Sequence, residues 1–298
     1  MRLKLGTRAS ALAMTQSGHV ADAIRALGHQ VELVEITTEG DTNQAAPLAS
    51  LGGTGVFVSA LRDALLRGDI DVAVHSLKDL PTYAQEGITL AAIPQREDPR
   101  DVVVARDGLT LGELPVGSRV GTGSPRRVAQ LHALGLGLEV VGIRGNVDTR
   151  LRKVSEGEYD AVVLARAGLS RLGRSDEATE VLDPLQMLPA PGQGALAIEC
   201  RPELADVLAP LDDPYTRAQV TAERAVLATL EAGCSAPVGA LAEIAEGDDG
   251  EELWIRAVVL SIDGALAVRK SLSGKPADAE AIGRQLATEM LEDGAAEI

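Results

Sequence analysis

Short apolar or alternating segments, which are typical of strands, take turns with longer stretches of helical periodicity along the first 95 residues. Each predicted helix here ends just before a glycine, which is a common stop signal. Strands are predicted at residues 3–6, 31–36, 70–74 and 89–93, and helices at 11–27 and 56–67. Strands that alternate with helices indicate a parallel or mixed sheet covered on both faces.

The same alternation continues from residue 102 to about residue 188, although no sequence repeat is visible. Strands are predicted there at 119–122, 139–144 and 159–165, and helices at 126–134 and 147–154. From about residue 213 the order changes to a long helix at 215–230, strands near 253–262 and 265–271, and a helix at 277–291. An exposed acidic turn is expected at 247–250.

Two segments that contain Pro, 94–99 and 189–194, are candidates for crossovers between the α/β regions. We therefore predict an α/β fold with two lobes, a hinge and a cleft, followed by a small α+β C-terminal domain. The predicted boundaries are 1–95 and 192–213 for lobe 1, 96–191 for lobe 2, and 214–298 for the C-terminal domain.

The composition argues against nucleic-acid and membrane partners. The net charge is −16 and aromatic residues make up 2%, so the surface repels phosphate and offers few rings for stacking on bases. No apolar run approaches membrane-spanning length and no signal-peptide pattern is visible, so we expect a cytoplasmic protein. With 23 Arg and 5 Lys, the acidic surface suits a high-salt cytoplasm, and a halophilic source is a hypothesis.

Candidate chemistry follows the predicted strands, at the carboxyl ends where open α/β sheets bind ligands. Four such turns each supply at least one cation: Thr7–Ser10, His75–Pro81, Gly123–Arg127 and Arg144–Asn146. Because guanidinium groups bind both oxygens of a carboxylate, the arginines predict a polycarboxylate cradle. Its members are Arg8, Arg126, Arg127 and Arg144, which share the strand-end placement, and Arg150 and Arg171, which rest more on the resemblance described below. Taken singly, each arginine also fits a surface ion pair, and the pair at 126–127 fits an ordinary helix start with solvated arginines.

Asp79 and Cys234 are the candidate reactive groups. Asp79 is either a loop-capping carboxylate or a group that faces a cationic intermediate or exchanges protons. Cys234 follows Gly233 at the end of the long helix, so its thiol is expected on a loop, accessible as a nucleophile. Cys200 and His75 fit packed residues of buried strands. There is no C-x-x-C spacing, which argues against a zinc site.

Taken together, these motifs resemble the porphobilinogen deaminase (hydroxymethylbilane synthase) family along essentially the whole chain. The segments that carry the resemblance are Thr7–Ser10, Val74–Pro81, Gly121–Arg127, Val141–Asn146, Pro191–Ala195 and Glu223–Gly239. The run His-Ser-Leu-Lys-Asp combined with the Gly-Cys loop is the most specific feature. The resemblance implies two lobes like those of periplasmic binding proteins and a third domain that carries the cysteine.

The resemblance also implies a covalent dipyrromethane cofactor, held by a thioether at Cys234, on which four porphobilinogen molecules are deaminated and joined into hydroxymethylbilane. It implies Asp79 as the catalytic residue. The implied cofactor-binding residues are Cys234, Lys78, Ser76, Ser124, Arg126, Arg127, Arg144 and Gly145. The implied substrate-binding residues are Arg8, Ser10, Arg150, Arg171 and Gln16. We expect a monomer with no metal.

The sequence departs from the family at several positions. Ser50 and Thr54 stand where lysines are common, so carboxylate binding cannot be carried over to them. Ala232 replaces a frequent glycine, and Pro125 before the arginine pair is unusual. Two other functions stay open on the residues alone: a non-catalytic two-lobed anion-binding protein, and a cysteine hydrolase pairing Cys234 with a histidine. None of the four histidines (His19, His29, His75, His132) shows an orienting motif.

Overall fold

The structure is a computed structural model that describes residues 1–37, 55–232, 236–247 and 250–298. Contacts divide it into two compact units, of which unit 1 comprises residues 1–97 and 195–217, and unit 2 comprises residues 98–194 and 218–298. In chain order the strands are β1 (Arg2–Thr7), β2 (Gln30–Glu35), β3 (Val72–Ser76), β4 (Thr89–Ala92), β5 (Asp101–Ala105), β6 (Arg119–Gly121), β7 (Glu139–Val141), β8 (Ala161–Ala165), β9 (Glu180–Val181), β10 (Leu196–Cys200), β11 (Val238–Gly247), β12 (Gly250–Leu260) and β13 (Ala267–Gly274). The helices are α1 (Ala11–Ala26), α2 (Gly55–Arg67), α3 (Pro125–Ala133), α4 (Val147–Ser155), α5 (Arg166–Arg171), α6 (Ala205–Leu208), α7 (Pro214–Thr229) and α8 (Ala279–Glu292).

Unit 1 is built on a five-stranded mixed sheet in the order β2-β1-β3-β10-β4. Strands β1, β2 and β3 are parallel, whereas β10 runs antiparallel to both β3 and β4. Helix α1 packs Val20 and Ile24 against one face, and α2 packs Leu61 and Leu65 against the other. A Cβ on Gly6 of β1 would lie 2.4 Å from the terminal methyl carbon of Ile70, so the Ile70 side chain packs closely on this strand.

Unit 2 repeats this architecture with a sheet in the order β7-β6-β8-β5-β9. Strands β6, β7 and β8 are parallel, and β5 runs antiparallel to β8 and β9. Separate apolar clusters cover the two faces of the sheet, one containing Val103 and Val163 and the other Val102 and Val162. The two sheets therefore share one topology, which confirms the predicted repetition of architecture.

The C-terminal part of unit 2 is a three-stranded antiparallel sheet, β11-β12-β13, with α7 and α8 packed on one face. The two helices touch closely, because a Cβ on Gly283 would lie 2.2 Å from the Ala222 carbonyl oxygen. The prediction missed β11, whose ten residues include three alanines and two glycines of low strand propensity. The acidic turn was expected between β11 and β12, and its central residues 248–249 lie outside the described residues.

These observations confirm the predicted fold class of two α/β lobes with a small α+β domain. The hinge, the cleft and the three-domain boundaries stay predictions; the contacts group the C-terminal sheet with residues 98–194. Among the helices in the described ranges, none combines the length and apolar character needed to span a membrane.

Unit 1 contains a buried ion pair between a strand of its sheet, β10, and helix α2. Glu199 of β10 is 2% exposed and receives two hydrogen bonds from Arg62 of α2, at 3.0 and 2.7 Å. His75 Nε2 lies 3.2 Å from Glu199 Oε2. Burial alone would raise the pKa of Glu199, but His75 and Arg62 outweigh it and lower the pKa to about 2. His75 is buried as predicted, and its neighbour is a carboxylate.

We predict that Glu199→Gln lowers the free energy of unfolding at pH 7 by about 3–5 kcal/mol, because Arg62 loses its buried counter-charge. The folded-state pKa of Glu199 is depressed, so its stabilisation is complete above the ordinary value of 4.5 and declines as the pH falls towards about 2. The difference in the free energy of unfolding between Glu199→Gln and wild type should therefore become smaller as the pH falls below 4.5. Urea unfolding at pH 7, 4.5 and 3 measures it.

Glu32→Gln is the matched control, because Glu32 pairs with Arg2 on the surface at 2.8 Å and such a pair contributes at most about 1 kcal/mol. A loss at pH 7 no larger than that of Glu32→Gln would contradict the stabilising role of Glu199.

Candidate active site

In unit 1, polar side chains collect where β1 and β3 end. The two strands are neighbours and parallel, with Leu5 opposite Val72 and Gly6 opposite Ala73, so their carboxyl ends share one edge. Arg8 and Ser10 follow β1, and a short 3₁₀ turn, Leu77–Asp79, follows β3. The topology thus brings together the two segments that the sequence analysis singled out at the start of the chain.

The turn that carries Lys78 and Asp79 is anchored by its first residue. Leu77 is fully buried, and its N–H donates to the Ala195 carbonyl at 3.0 Å. The Leu80 N–H closes the turn on the Leu77 carbonyl at 3.0 Å. Lys78 and Asp79 stay half-buried, so a fixed backbone presents both side chains at the edge of the sheet.

Gln16 joins the two strand ends. It lies on α1, is 6% exposed, and donates to Ser76 Oγ at 3.0 Å. Ser10 begins α1 by accepting a hydrogen bond from the Ala13 N–H at 3.3 Å, which is an ordinary N-cap. Of the predicted site residues, Arg8, Ser10, Gln16, Ser76, Lys78 and Asp79 therefore lie at this edge.

In unit 2, the corresponding edge lies beyond β6 and β7, which are also parallel neighbours. Ser124 precedes α3, and Pro125 takes the first helical position, where the missing N–H costs no hydrogen bond. Asn146 caps α4 by accepting from the Thr149 N–H at 2.9 Å. Gly145 has φ +107°, and a Cβ there would lie 2.6 Å from the Thr149 methyl carbon, so the turn requires glycine.

Arg126 and Arg127 are buried and share one carboxylate. They are 3% and 6% exposed, and Asp101, which is 0% exposed, accepts from both at 2.8 and 2.7 Å. Arg126 Nη1 also donates to the Leu188 carbonyl at 2.7 Å, and Arg127 Nη1 donates to the Val163 carbonyl at 3.0 Å. The alternative of two solvated arginines at a helix start is therefore wrong.

Arg144 and Arg150 add further positive charge to this edge. Arg150 is half-buried, and its Nε donates to the Gly145 carbonyl at 2.9 Å. Burial, together with the nearby charges of Arg127 and Arg144, lowers the pKa of Arg150 to about 10. The guanidinium groups of Arg126, Arg127, Arg144 and Arg150 thus lie near this edge, and Asp101 accepts hydrogen bonds from the first two.

This donor set fits a group that carries carboxylates. Burial and, after it, repulsion from Arg127 and Arg144 lower the pKa of Arg150, and an anion at the edge relieves that repulsion. In addition, Arg126 Nε is buried without a hydrogen-bond partner among the described residues. Two helix N-termini, of α3 and α4, face the same edge and favour negative charge.

The remaining predicted residues lie elsewhere. Arg171 of α5 donates to the Gly194 carbonyl at 2.6 Å, at the end of the second crossover segment. Cys234, Ser50 and Thr54 lie outside the described residues. The expected helix end also differs, because α7 ends at Thr229 and Glu231 takes a positive φ of 51°.

Sequence reasoning did not assign a role to three buried polar residues. Asp101, Glu199 and Glu223 are 0%, 2% and 0% exposed and each accepts hydrogen bonds from its own unit. A signal was available for the first two, since each is an acidic residue inside or beside a run of apolar strand residues. An acid in such a run is buried only if it has a partner.

Comparisons with known proteins cover nearly the whole chain. A family model described as "Porphobilinogen deaminase, dipyromethane cofactor binding domain" matches residues 3–209, and one described as "Porphobilinogen deaminase, C-terminal domain" matches residues 217–292. Proteins named porphobilinogen deaminase from Mycobacterium tuberculosis and Nocardia farcinica are 60% and 59% identical. Each comparison covers 99% of this chain, with 98% and 87% of the respective relative.

Among solved structures, the Bordetella pertussis BvgS VFT2 domain is similar with a TM-score of 0.43 and 17% identity, over 70% of this chain and 85% of that one. An arginine transport periplasmic binding protein from Legionella pneumophila gives a TM-score of 0.40 and 12% identity, over 70% and 91%. The sequence matches are far closer than these structural ones. On the two family models and the near full-length relatives, the chain belongs to the porphobilinogen deaminase family.

Proposed function

We propose that this protein is a transferase that deaminates porphobilinogen and joins four molecules head to tail into hydroxymethylbilane, in tetrapyrrole biosynthesis. The observation that carries the proposal is the cationic edge of unit 2, where Arg126, Arg127, Arg144 and Arg150 lie close together and Asp101 pairs with two of them. Each pyrrole of the substrate bears an acetate and a propionate, so a growing product accumulates negative charge. A local excess of guanidinium groups balances that charge although the whole chain is acidic.

The dipyrromethane cofactor supplies the free pyrrole carbon on which the product grows. We assign the binding of its carboxylates to the arginines of the cationic edge of unit 2. The residues assigned to cofactor binding are Ser76, Lys78, Ser124, Arg126, Arg127, Arg144 and Gly145. Those assigned to substrate binding are Arg8, Ser10, Gln16, Arg150 and Arg171.

Asp79 is the proposed catalytic residue. Loss of ammonia from the substrate leaves a positive charge on the pyrrole, and a carboxylate beside it stabilises that charge and exchanges protons with the ring nitrogen and the leaving amine. The anchored turn Leu77–Asp79 supports this role, because it fixes the backbone of Asp79 at the edge of the sheet. Ser76, the residue directly before this turn, accepts a hydrogen bond from Gln16.

Cys234 is the proposed attachment point, through a thioether. The other cysteine, Cys200, is 0% exposed in β10, and burial raises the pKa of its thiol to about 11. A thiol with so high a pKa is almost entirely protonated at neutral pH and is a poor nucleophile. We further propose a cytoplasmic monomer that binds no nucleic acid and tolerates high salt, in keeping with its net charge of −16.

We predict that the intact mass of the purified protein exceeds the mass calculated from the sequence by two pyrrole units, and that Cys234→Ala removes this increment. Electrospray mass spectrometry measures it under denaturing conditions, where only a covalent group persists. Cys200→Ala is the matched control and should keep the full increment. An active wild type without added mass would falsify the cofactor assignment. A wild type without added mass that forms no hydroxymethylbilane would favour a non-catalytic binding protein or a hydrolase.

Asp79→Asn should keep the added mass but lower kcat by about 100-fold or more, because the amide neither balances positive charge nor accepts a proton. Steady-state rates of hydroxymethylbilane formation, measured on protein of verified mass, test this outcome. Asp22→Asn is the control, since Asp22 pairs only on the surface with Arg25 at 2.7 Å. A kcat within a few-fold of wild type in Asp79→Asn removes Asp79 from the mechanism.

A further inference from the structure

We propose that Asp101 is a positioning residue, which holds Arg126 and Arg127 in the orientation in which they bind the carboxylates of the cofactor. The proposal rests on the function proposed above and deepens it, because it names the group that organises the cationic edge. Asp101 begins β5 and is 0% exposed, so it acts through its neighbours and not by touching a ligand.

The hydrogen bonds around Asp101 divide its two oxygens between the arginines. Arg127 donates from Nε at 3.2 Å and from Nη2 at 2.7 Å to Oδ1, and Arg126 donates from Nη1 at 2.8 Å to Oδ2. Two donors of Arg127 converge on one oxygen and restrict the plane of its guanidinium, and a separate contact to the other oxygen restrains Arg126. One carboxylate therefore sets the direction of two adjacent side chains.

The electrostatics explain why these arginines need Asp101. Both lie at the start of α3, where the helix dipole disfavours cations, and both are buried next to each other. Burial alone would raise the pKa of Asp101, but the coulombic attraction of the two arginines outweighs it and holds the pKa well below its usual range. Asp101 thus stays ionised and cancels one of the two charges, which leaves the pair with net positive charge for a ligand.

Gln193 extends the network to both crossover segments. It is 0% exposed, and its Nε2 donates to Asp101 Oδ1 at 2.8 Å and to the Pro99 carbonyl at 2.7 Å. Next to it, the Gly192 N–H donates to Glu223 Oε2 at 2.7 Å, and Glu223 Oε1 accepts from the Ala242 N–H at 2.9 Å. The position of Asp101 is therefore fixed from both points at which the chain enters and leaves residues 98–194.

Asp101→Asn tests the proposal, because it preserves shape but removes the charge that orients both arginines. We expect a folded protein in which the fraction of molecules carrying the two-pyrrole mass increment falls at least several-fold. In the fraction that carries it, kcat should fall by about tenfold or more, as for a displaced binding group. Intact mass, far-ultraviolet circular dichroism and steady-state kinetics provide the three measurements.

Glu199→Gln is the matched control, since it removes the other buried carboxylate bonded to an arginine, in unit 1. It should lower stability while keeping the mass increment, which separates positioning from a general loss of stability. If Asp101→Asn does not fold, Gln193→Met keeps the Asp101 carboxylate but removes the Gln193 hydrogen bonds to Asp101 Oδ1, the Pro99 carbonyl and Arg126 Nη2. This variant should lower kcat several-fold with the increment retained.

Two outcomes overturn the proposal: a folded Asp101→Asn with full increment and kcat within twofold of wild type, or, where that variant does not fold, a Gln193→Met enzyme with unchanged kcat. Failure of the proposed function looks different, because the wild type itself then lacks the increment.

Discussion

The fold of unit 2 depends on burying two neighbouring guanidinium groups against one carboxylate. Arg126 and Arg127 lie inside the protein at the start of α3, and a buried cation without a partner costs several kcal/mol. Asp101 makes their burial tolerable by accepting from both. Because two positive charges meet one negative charge, the arrangement also leaves local positive charge in a chain whose net charge is −16.

Unit 1 contains a related arrangement on the equivalent strand. Strands β5 and β10 both occupy the fourth position of their five-stranded sheets, both run antiparallel to the third strand, and each follows a crossover segment. Each carries a buried acid that is held by an arginine through two hydrogen bonds, Asp101 by Arg127 and Glu199 by Arg62. The repeat of architecture thus extends to where each sheet places its buried charge.

The two units differ in what surrounds that charge, and the difference matches the roles proposed for them. Glu199 faces one arginine and one histidine, so a single permanent cation lies beside it. Asp101 faces two arginines, with Arg144 and Arg150 nearby, so the carboxyl ends of β6 and β7 are strongly cationic. Unit 1 instead presents a single anchored turn with Lys78 and Asp79 side by side. The proposed anion binding and the proposed proton transfer are therefore assigned to residues of different sheets.

The sequence by itself determined the order of elements, the family and the segments at the strand ends. Helices such as α1 and α3 begin within one residue of their predicted starts, because the apolar periodicity that marks a helix is a local property of the sequence. The alanine-rich β11 was missed, because pairing with β12 and packing on α7, and not propensity, make it a strand.

Only the tertiary structure decided which charges meet. Arg126 and Asp101 are 25 residues apart, and Arg62 and Glu199 are 137 apart, so no local pattern pairs them. The sequence indicated arginines suited to carboxylates but could not tell a solvated guanidinium from one already engaged inside the protein. That distinction depends on burial and on the partners that the sheet topology brings within hydrogen-bonding distance. Burying a charged side chain costs several kcal/mol of free energy unless an opposite charge or hydrogen-bonding group pairs with it.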